Sequence, residues 1–347
     1  MGLNIREIIP RKEIEISDLK GKTLCVDAFN VLYQFLSTIR QYDGAPLMDS
    51  QDRITSHLSG IFYRNISLLN EGMKLVYVFD GDAPELKAKT WKKRSDVREK
   101  AKEKYEEAKK EEDYSSMRKY SSQLLRLDEE MVAESKELLE AMGIAIVQAP
   151  SEGEAQAAYL AKNNNEIFAS VSQDYDSLLF GAPRLIRNLT ISRKKKNYTG
   201  GYTEVPIESI ELEKVLNYLE IDLDGLICLG ILVGTDYNPK GVPRIGQKKA
   251  LELVQRFKQP VLIFNAVEDK IKALPKEDQF DWKEIFALFR NHNVSKEKIV
   301  FPKINVEKVK EILVQKHEFS GDRITNSLEK LQKIVEKNKQ KDLNQWF

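Results

Sequence analysis

The segment VSQDYDSLLF, residues 171–180, carries two aspartates one residue apart at the end of an apolar run. If the chain is extended there, Asp174 and Asp176 point to the same side of a strand, because strand side chains alternate with a period of two. Two neighbouring carboxylates repel each other unless a cation lies between them, so the pair is a candidate metal site. A polar turn after a strand is the alternative, since aspartate is common in turns.

Acidic residues also follow three other short apolar runs. TLCVD ends at Asp27, KLVYVFD ends at Asp80, and IAIVQAPSEGEA leads to Glu152 and Glu154. These runs alternate with helical patterns, which predicts an α/β fold with a mostly parallel, twisted sheet flanked by helices. In such sheets, ligand sites gather outside the carboxyl ends of the strands. We therefore expect these acids to meet at one edge of the sheet.

The acids of the fourth run also fit a structural role. Ser151 could cap a helix, with Glu154 closing a capping box three residues later. Glu152 is not needed for that box. The sequence leaves both uses of Glu154 open.

A seventh acid, Asp236, ends the apolar helical run LICLGILVGTDY, and a turn rich in Gly and Pro then opens another helix. This pattern predicts a helix-turn-helix over about residues 226–256. Lys248 and Lys249 lie in the first turn of the second helix, where basic side chains oppose the helix dipole. They fit a phosphate docked on the backbone amides beside Gly246. Solvated lysines on an ordinary helix-turn-helix are the alternative.

Composition sets wide limits. A chain of 347 residues with 41% hydrophobic and 31% charged residues is typical of a globular protein, and its formal net charge of +1 excludes no class of partner. Cys25 and Cys228 offer neither a disulfide framework nor a zinc spacing, which fits a reducing compartment. No secretory signal or membrane span is visible, so we expect no membrane partner.

The segment after Asp80 is strongly basic, with nine basic and three acidic residues over 86–104. The side chains of Lys87, Trp91, Arg94 and Arg98 are spaced by four, three and four, which would form one stripe on a helix. The segment has few apolar residues to bury, so we expect it to become ordered on a substrate. A solvated helical face is the alternative. Further along, residues 193–196 (RKKK) predict a basic hairpin or a loop.

Six motifs, taken together and in this order, resemble the flap endonuclease family of structure-specific 5′ nucleases: DAFNVLYQFL, TSHLSGIFYR, VYVFDGDAPELK, QAPSEGEAQAAYLA, SQDYDSLLFG and LVGTDYNPKGV. The resemblance implies cleavage of 5′ flaps in branched DNA, with 5′–3′ exonuclease activity, in DNA replication and repair. It implies two Mg²⁺ ions, for which Mn²⁺ can substitute, bound by the family's carboxylates. On this chain those are Asp27, Asp80, Glu152, Glu154, Asp174, Asp176 and Asp236.

The same resemblance assigns DNA contacts. It implies a helical arch at about residues 82–130 through which the flap passes, with Lys87 and Arg94 at the scissile phosphate and Arg98 on the same basic stripe. It also implies that Tyr33 stacks on a base near the cut, although an aromatic on a helix is more often part of a core. Gly246, Lys248 and Lys249 would contact duplex phosphates beside a monovalent cation.

One departure affects this last element. The family's Gly-Ile-Gly reads Arg244-Ile245-Gly246 here. Because glycine alone adopts left-handed backbone conformations without cost, we expect the change to close off such a conformation or a close approach of the backbone.

The end of the chain resembles a sliding-clamp interaction motif, with Gln340, Leu343, Trp346 and Phe347 as anchors for a clamp of the proliferating cell nuclear antigen type. A frayed tail is the alternative. We predict a nuclease domain over residues 1–325 and a C-terminal helix with a clamp-binding tail over 326–347, in a protein that is a monomer on its own. Because no basic extension follows Phe347, we expect an archaeal, cytoplasmic protein rather than a nuclear one.

Two other functions remain open at this stage. Asp174 and Asp176 also fit a phosphatase of the haloacid dehalogenase type, in which the first aspartate is a covalent nucleophile. A non-catalytic scaffold that binds DNA junctions is the second alternative. The phosphatase hypothesis leaves five acids and the basic segment without a role, and intact acids argue against the scaffold.

Overall fold

The structure is a computed structural model that describes residues 3–41, 44–82, 84–111, 113–121, 123–124, 126–191, 194–196 and 202–344. Within these ranges the side chains of residues 85, 88–94, 96, 118, 194–196, 202 and 334–344 are not described.

A seven-stranded sheet forms the centre of the protein, in the order β1-β9-β6-β5-β2-β3-β4. Neighbours from β6 to β4 run parallel, whereas β9 pairs antiparallel with both β6 and β1 at one edge. The predicted mostly parallel α/β sheet is therefore confirmed. The strands are β1 (Lys12–Ile14), β2 (Thr23–Asp27), β3 (Lys74–Phe79), β4 (Ala145–Gln148), β5 (Ile167–Val171), β6 (Arg184–Arg187) and β9 (Ile207–Glu211), and a separate antiparallel pair consists of β7 (Lys194–Lys196) and β8 (Tyr202–Glu204).

Helices cover both faces of the sheet. They are α1 (Ala28–Thr38), α2 (Ser56–Asn70), α3 (Ala88–Lys110), α4 (Tyr114–Ser121), α5 (Glu129–Ala141), α6 (Gly153–Asn163), α7 (Asp176–Leu179), α8 (Leu212–Leu219), α9 (Leu223–Val233), α10 (Gln247–Phe257), α11 (Pro260–Asn265), α12 (Glu268–Lys272), α13 (Trp282–Arg290), α14 (Val306–Lys310) and α15 (Gly321–Asn344). Short 3₁₀ turns span Ile16–Leu19 and Glu85–Lys87, and a π-helical turn spans Glu311–Lys316.

The alternation of side chains along β2 explains how the sheet buries both faces. Leu24 and Val26 pack into a core formed with α1, α2, α5 and the start of α15, whereas Cys25 packs on the opposite face against α6. All five residues of β2 are buried, as expected for a central parallel strand. A further core surrounds α9, the most apolar helix, and joins it to α7, α10 and α13. The sheet is thus a rigid support for the loops at its carboxyl edge.

The strand ends meet at one edge, as predicted. Asp27 pairs in register with Val78, Phe79 pairs with Gln148, and Val26 pairs with Val171. The carboxyl ends of β2, β3, β4 and β5 therefore lie side by side, and each is followed by a segment that carries one or two of the predicted acids.

The structure overturns one local prediction and one local alternative. Strand β5 ends at Val171, so Asp174 lies in a loop and Asp176 begins α7, and the two are not alternate residues of one strand. Helix α6 begins at Gly153 with Glu152 as the N-cap residue, so Ser151 and Glu154 form no capping box. The Ser151 hydroxyl donates instead to the carbonyl of Asp82.

The elements expected to contact DNA have the predicted secondary structure. The basic segment forms the 3₁₀ turn and α3, which packs against α4 through the buried Ala101 and Ala108. Helices α9 and α10 form the helix-turn-helix, and β7 and β8 form a hairpin that starts in the RKKK segment; Arg193 and residues 197–201 lie outside the described residues. No helix in the described ranges is long and apolar enough to cross a bilayer.

Candidate active site

The seven predicted acids form one electrostatic cluster at the carboxyl edge of the sheet. Each acid lies close enough to others to affect their ionisation: Asp27 interacts with Asp80 and Asp174, Asp80 with Glu152 and Asp236, and Glu154 with Asp27, Asp174 and Asp176. Asp176 also interacts with Asp236. The structure thus brings together all the carboxylates that the sequence singled out.

The hydrogen bonds described for four of these acids come from neutral donors, and the charge of Lys87 offsets only part of the rise in the pKa values of Asp27 and Asp176. We call Asp27, Glu154, Asp174 and Asp176 the acid-only side of the cleft. Asp27 caps α1 by accepting from the backbone N–H of Asn30 (3.1 Å), and the amide group of Asn30 donates to Asp174 (3.0 Å). Ser172 Oγ donates to Glu154 (2.7 Å), and the backbone N–H of Leu3 donates to Asp176 (3.2 Å).

Burial and mutual repulsion both act against ionisation on the acid-only side. Asp27 and Asp176 are only 6% and 5% exposed. Loss of hydration, followed by the charges of Asp236 and Asp174, raises the pKa of Asp176 to about 7. The pKa values of Asp27 and Glu154 are also raised well above the ordinary range, first by burial and then by neighbouring carboxylates. These acids therefore resist carrying their full charge without a cation.

The other three acids surround a lysine. We call Asp80, Glu152 and Asp236 the lysine-paired side. The ammonium of Lys87 forms an ion pair with Glu152 and lies 3.9 Å from Asp236. Burial alone would lower the pKa of Lys87, but the charges of Glu152, Asp236 and Asp80 more than offset this and raise it. Lys87 is thus held in its charged form inside the cleft.

Tyr237 completes this side. Its hydroxyl donates to Glu152, and its ring lies 5.6 Å from the Lys87 ammonium. Burial and the charge of Glu152 raise the pKa of Tyr237, so the phenol stays protonated and remains a donor. Glu152 is therefore held by a neutral donor and by a cation.

Close contact between β3 and α6 places Asp80. The backbone N–H of Gly153 donates to Asp80 (2.7 Å), and a Cβ at position 153 would lie 2.7 Å from that same carboxylate oxygen. Only glycine allows this approach. Asp80 is exposed at the rim of the cleft. Its pKa is nevertheless raised, first because the surrounding protein removes part of its hydration and then because of the charges of Glu152 and Asp236.

The donor set suits a hard divalent cation, because carboxylate oxygens are the ligands that Mg²⁺ and Mn²⁺ prefer. The described residues contain no group of three or more acidic, histidine or cysteine side chains arranged to hold a metal ion. The cation that contacts the carboxylates is instead the Lys87 ammonium, which stands where positive charge is needed. The carboxylates have the chemistry of ligands for a divalent metal ion. Which of them bind the ion stays a prediction.

The structure describes some of the residues predicted to contact DNA and leaves the side chains of others undescribed. Tyr33 on α1 is 41% exposed, so it is not part of the core and its ring is available for stacking. Arg98 lies half-buried on α3. The side chains of Trp91 and Arg94 lie outside the described residues, although the helix through them is described.

The phosphate-binding turn holds one surprise. Gly246 is the N-cap residue of α10, and Lys248 and Lys249 are exposed in the first turn, as predicted. Arg244 has φ 62°, so the left-handed conformation persists although glycine is absent, and the expectation that arginine would close it off is wrong. This conformation costs an arginine roughly 1 kcal/mol.

The residues of the predicted clamp-interaction motif fall at the edge of the described chain. Helix α15 continues through Gln340 and Leu343, whose side chains are not described, and Trp346 and Phe347 lie outside the described residues. Ile324, Leu328 and Leu331 of the same helix are buried in the core, so the helix is anchored up to that point.

Sequence reasoning gave no role to several residues that hold the acids. Asn30 contacts two of the acidic segments, Tyr237 holds Glu152, and Ser172 holds Glu154. Asn30 stands three residues after Asp27 in the motif DAFN, and Tyr237 directly follows Asp236 in the motif TDY. Their closeness to predicted acids is the sequence signal for these two residues.

Comparison with known proteins agrees with this site. The family models described as the XPG N-terminal domain and the XPG I-region match residues 4–101 and 143–236, which include all seven acids. The chain is 50% identical to flap endonuclease 1 of Pyrococcus furiosus, over 100% of this chain and 99% of the relative, and 49% identical to that of Thermococcus onnurineus with the same coverage.

A solved structure extends the similarity to the fold. The structure resembles flap endonuclease-1 from Methanococcus jannaschii, with a TM-score of 0.74 and 40% identity over 97% of this chain and 100% of the other. The phosphatase and scaffold alternatives find no support in these comparisons.

Proposed function

Because the chain belongs to the flap endonuclease family, we propose that its seven clustered carboxylates hold two divalent metal ions and that Lys87 acts on the phosphate being cut. The chain is a structure-specific nuclease that cuts flaps in branched DNA, and nucleases of this family depend on divalent metals. The observation that carries the proposal is the convergence of seven acids around a cleft whose sole described contacting cation is Lys87. Mg²⁺ is the proposed ion, and Mn²⁺ can substitute for it.

Divalent ions bound by Asp27, Asp80, Glu152, Glu154, Asp174, Asp176 and Asp236 would activate water and offset charge on the attacking and leaving oxygens. The chain's own residues prepare the site for them. Asn30, Ser172 and the N–H of Leu3 orient the acid-only side, and Tyr237 and the N–H of Gly153 orient the lysine-paired side. When acids on the acid-only side ionise, their carboxylates become available as ligands.

Lys87 has two successive partners in this proposal. Without substrate its ammonium neutralises Glu152, and with substrate it turns to the scissile phosphate, where positive charge stabilises the transition state. Arg94, about two helical turns after Lys87 on the same predicted stripe, would add a second charge there. Arg98 would contact the flap on the same stripe, and the exposed Tyr33 would stack on a base beside the cut.

Duplex DNA would dock at the helix-turn-helix. Gly246 exposes the first amides of α10, and Lys248 and Lys249 project from the same turn, which suits a phosphate and a nearby monovalent cation. The persistence of the left-handed conformation at Arg244 supports the idea that this turn keeps its shape without the family's glycine.

The experiment that tests the activity uses a labelled 5′-flap duplex. With Mg²⁺ we expect one major cut at the junction of single and double strand, and with EDTA no cut. A matched duplex with a 3′ flap should remain uncut. Release of phosphate from a phosphomonoester without cleavage of the flap would support the phosphatase instead.

We also propose that residues 326–347 form a separate functional unit from the nuclease domain over 1–325, with an arch over about 82–130. Gln340, Leu343, Trp346 and Phe347 would anchor a sliding clamp, and the protein would otherwise be monomeric. The clamp motif and the archaeal relatives support this reading and a cytoplasmic location. Deleting residues 340–347 should abolish clamp binding in calorimetry and leave clamp-independent cutting unchanged; clamp affinity that survives the deletion would place the anchor elsewhere.

A further inference from the structure

The loop that carries Asp174 and Asp176 is held by an arginine from the neighbouring strand. Arg187, the last residue of β6, donates to the carbonyl of Gln173 through both Nε (3.0 Å) and Nη2 (2.9 Å). Its Nη1 donates to the hydroxyl of Tyr175, and its guanidinium lies 4.1 Å from the Tyr175 ring. Arg187 therefore contacts the residues on both sides of Asp174.

The loop is fixed from the opposite direction as well. The backbone N–H of Gln173 donates to the side-chain oxygen of Asn30 (3.2 Å), whose amide group also holds Asp174. Gln173 is thus gripped at its N–H by α1 and at its carbonyl by β6. A short loop with both polar backbone groups engaged has little freedom to move the carboxylates beside it.

Arg187 is itself anchored and neutralised. Its Nη1 forms an ion pair with Glu208 on β9 (2.9 Å), which is directly opposite in the strand register and only 4% exposed. Glu208 also binds Arg6 (2.8 Å). In the described part of the chain no contact joins Arg187 to any of the seven acids, so its influence on them passes through the loop backbone.

We propose that Arg187 is a positioning residue that sets the places of Asp174 and Asp176 and thereby the affinity of the site for divalent metal. A planar guanidinium donates to a carbonyl, a hydroxyl and a carboxylate in a fixed fork geometry, which the flexible ammonium of a lysine does not impose. Groups that orient metal ligands in this way typically change metal affinity 10- to 100-fold when they are removed. The inference rests on the proposed function, because it assumes that the clustered acids bind the metal.

The chain offers a matched control in Arg184. It lies on the same strand, pairs with an acid of β9 (Glu211, 3.9 Å) and stacks on an aromatic ring (Phe168, 4.1 Å). It stands at the amino end of β6, away from the acids. Loss of Arg184 therefore removes the same kinds of contact without touching the acidic loop.

The test is Mn²⁺ binding followed by electron paramagnetic resonance on the full chain. Arg187→Gln should raise the Mn²⁺ dissociation constant by roughly 10-fold or more, and Arg184→Gln should leave it within about 2-fold. Arg187→Lys, which keeps the charge but replaces the planar fork by a single ammonium group, should give an intermediate value and serves if the glutamine variant does not fold. Binding of flap DNA in EDTA should be unchanged in all three.

The outcomes separate this inference from the proposed function. If Asp174→Ala weakens Mn²⁺ binding but the Arg187 and Arg184 variants have equal affinities, Arg187 has only a structural role and the inference is overturned. If Asp174→Ala itself leaves Mn²⁺ binding unchanged, the proposed metal site is wrong. Equal losses of melting temperature in both arginine variants with a difference only in Mn²⁺ affinity would support the inference.

Discussion

The two sides of the cleft solve the same electrostatic problem differently. On the lysine-paired side, Glu152 and Asp236 share the ammonium of Lys87. On the acid-only side, Asp27, Glu154 and Asp176 accept hydrogen bonds from neutral donors, and their pKa values are raised first by burial and then by neighbouring carboxylates on both sides of the cleft. Burial and neighbouring carboxylates thus favour the protonated forms of Asp27, Glu154 and Asp176, whereas Glu152 and Asp236 have a cationic partner in Lys87.

This difference suggests a division of roles. Lys87 offsets part of the negative charge of Glu152 and Asp236, so we expect these two carboxylates to keep their places without metal. The acid-only side gains most from a divalent ion, because the ion removes both the repulsion and the bound protons. We therefore expect the two sides to respond in opposite ways when single charges are removed, although both are needed for cleavage.

The largest expected effect is the loss of cleavage when either side loses a ligand. Asp174→Ala and Asp80→Ala should each lower the single-turnover rate by roughly 10³-fold or more, since each removes a carboxylate from the metal site. Affinity for flap DNA should stay within several-fold. Near-normal cutting by either variant would show that the substituted acid is not a metal ligand. The expectation that both sides are needed for cleavage would then be wrong.

Removal of Lys87 should leave the lysine-paired side without its cation, as the acid-only side is. We expect Lys87→Met to lower the cleavage rate by roughly 10²- to 10³-fold, because its charge is needed at the phosphate. In EDTA the variant should also unfold at a lower temperature, because Glu152 and Asp236 lose their cation. Arg98→Met on α3, which begins one residue after Lys87, is the control for stability and should change the melting temperature little. An unchanged melting temperature for Lys87→Met would show that the ion pair is not part of the resting state.

The acid-only side should show the reverse effect on stability. Because the folded state keeps a proton on Asp176 up to a pH of about 7 and the unfolded state loses it near 3.8, the metal-free protein loses stability as pH rises between these values. Asp176→Asn removes this loss and can still accept from Leu3. Its advantage over the parent in urea unfolding should grow with pH to the order of a few kcal/mol at pH 7.

The matched variant on the lysine-paired side is Glu152→Gln, which should destabilise the metal-free protein at pH 7 because Lys87 loses its partner. If both variants shift the urea midpoint in the same direction, the two sides do not differ in the way described.

The smallest effect is expected outside the cleft. Lys248→Ala should weaken binding of duplex junctions a few-fold and reduce the slope of log affinity against log salt by about one, with no change in melting temperature or metal affinity. A change in metal affinity would mean that the helix-turn-helix and the cleft are coupled.

The sequence predicts much of this site, because its main signals are local. Apolar runs that end in acids predict the carboxyl edge of a parallel sheet, and the spacing of basic residues predicts α3. The prediction that Asp174 and Asp176 alternate along one strand is nevertheless wrong, since β5 ends at Val171, five residues before Asp176. Their proximity comes from a loop fixed by Asn30 and Arg187, which the strand pattern does not contain.

The features that sequence could not predict are contacts between distant parts of the chain. Lys87 meets Glu152 across 65 positions of sequence, and Arg187 meets Glu208 on another strand. Neither pairing has a periodic signature. At Arg244 the surrounding turn imposes a left-handed backbone in spite of the residue type, which is a case of tertiary structure overriding local preference.

The difference between the two sides is tested most directly by counting protons released when Mg²⁺ binds. Isothermal titration calorimetry at pH 6.5, in two buffers with different ionisation enthalpies, gives this number. We predict a net release of protons that shrinks at pH 8.5 and in Asp176→Asn, because the raised pKa values of Asp27, Glu154 and Asp176 favour bound protons that the metal displaces. Binding without proton release at pH 6.5, or release that is unchanged in Asp176→Asn, would contradict the account.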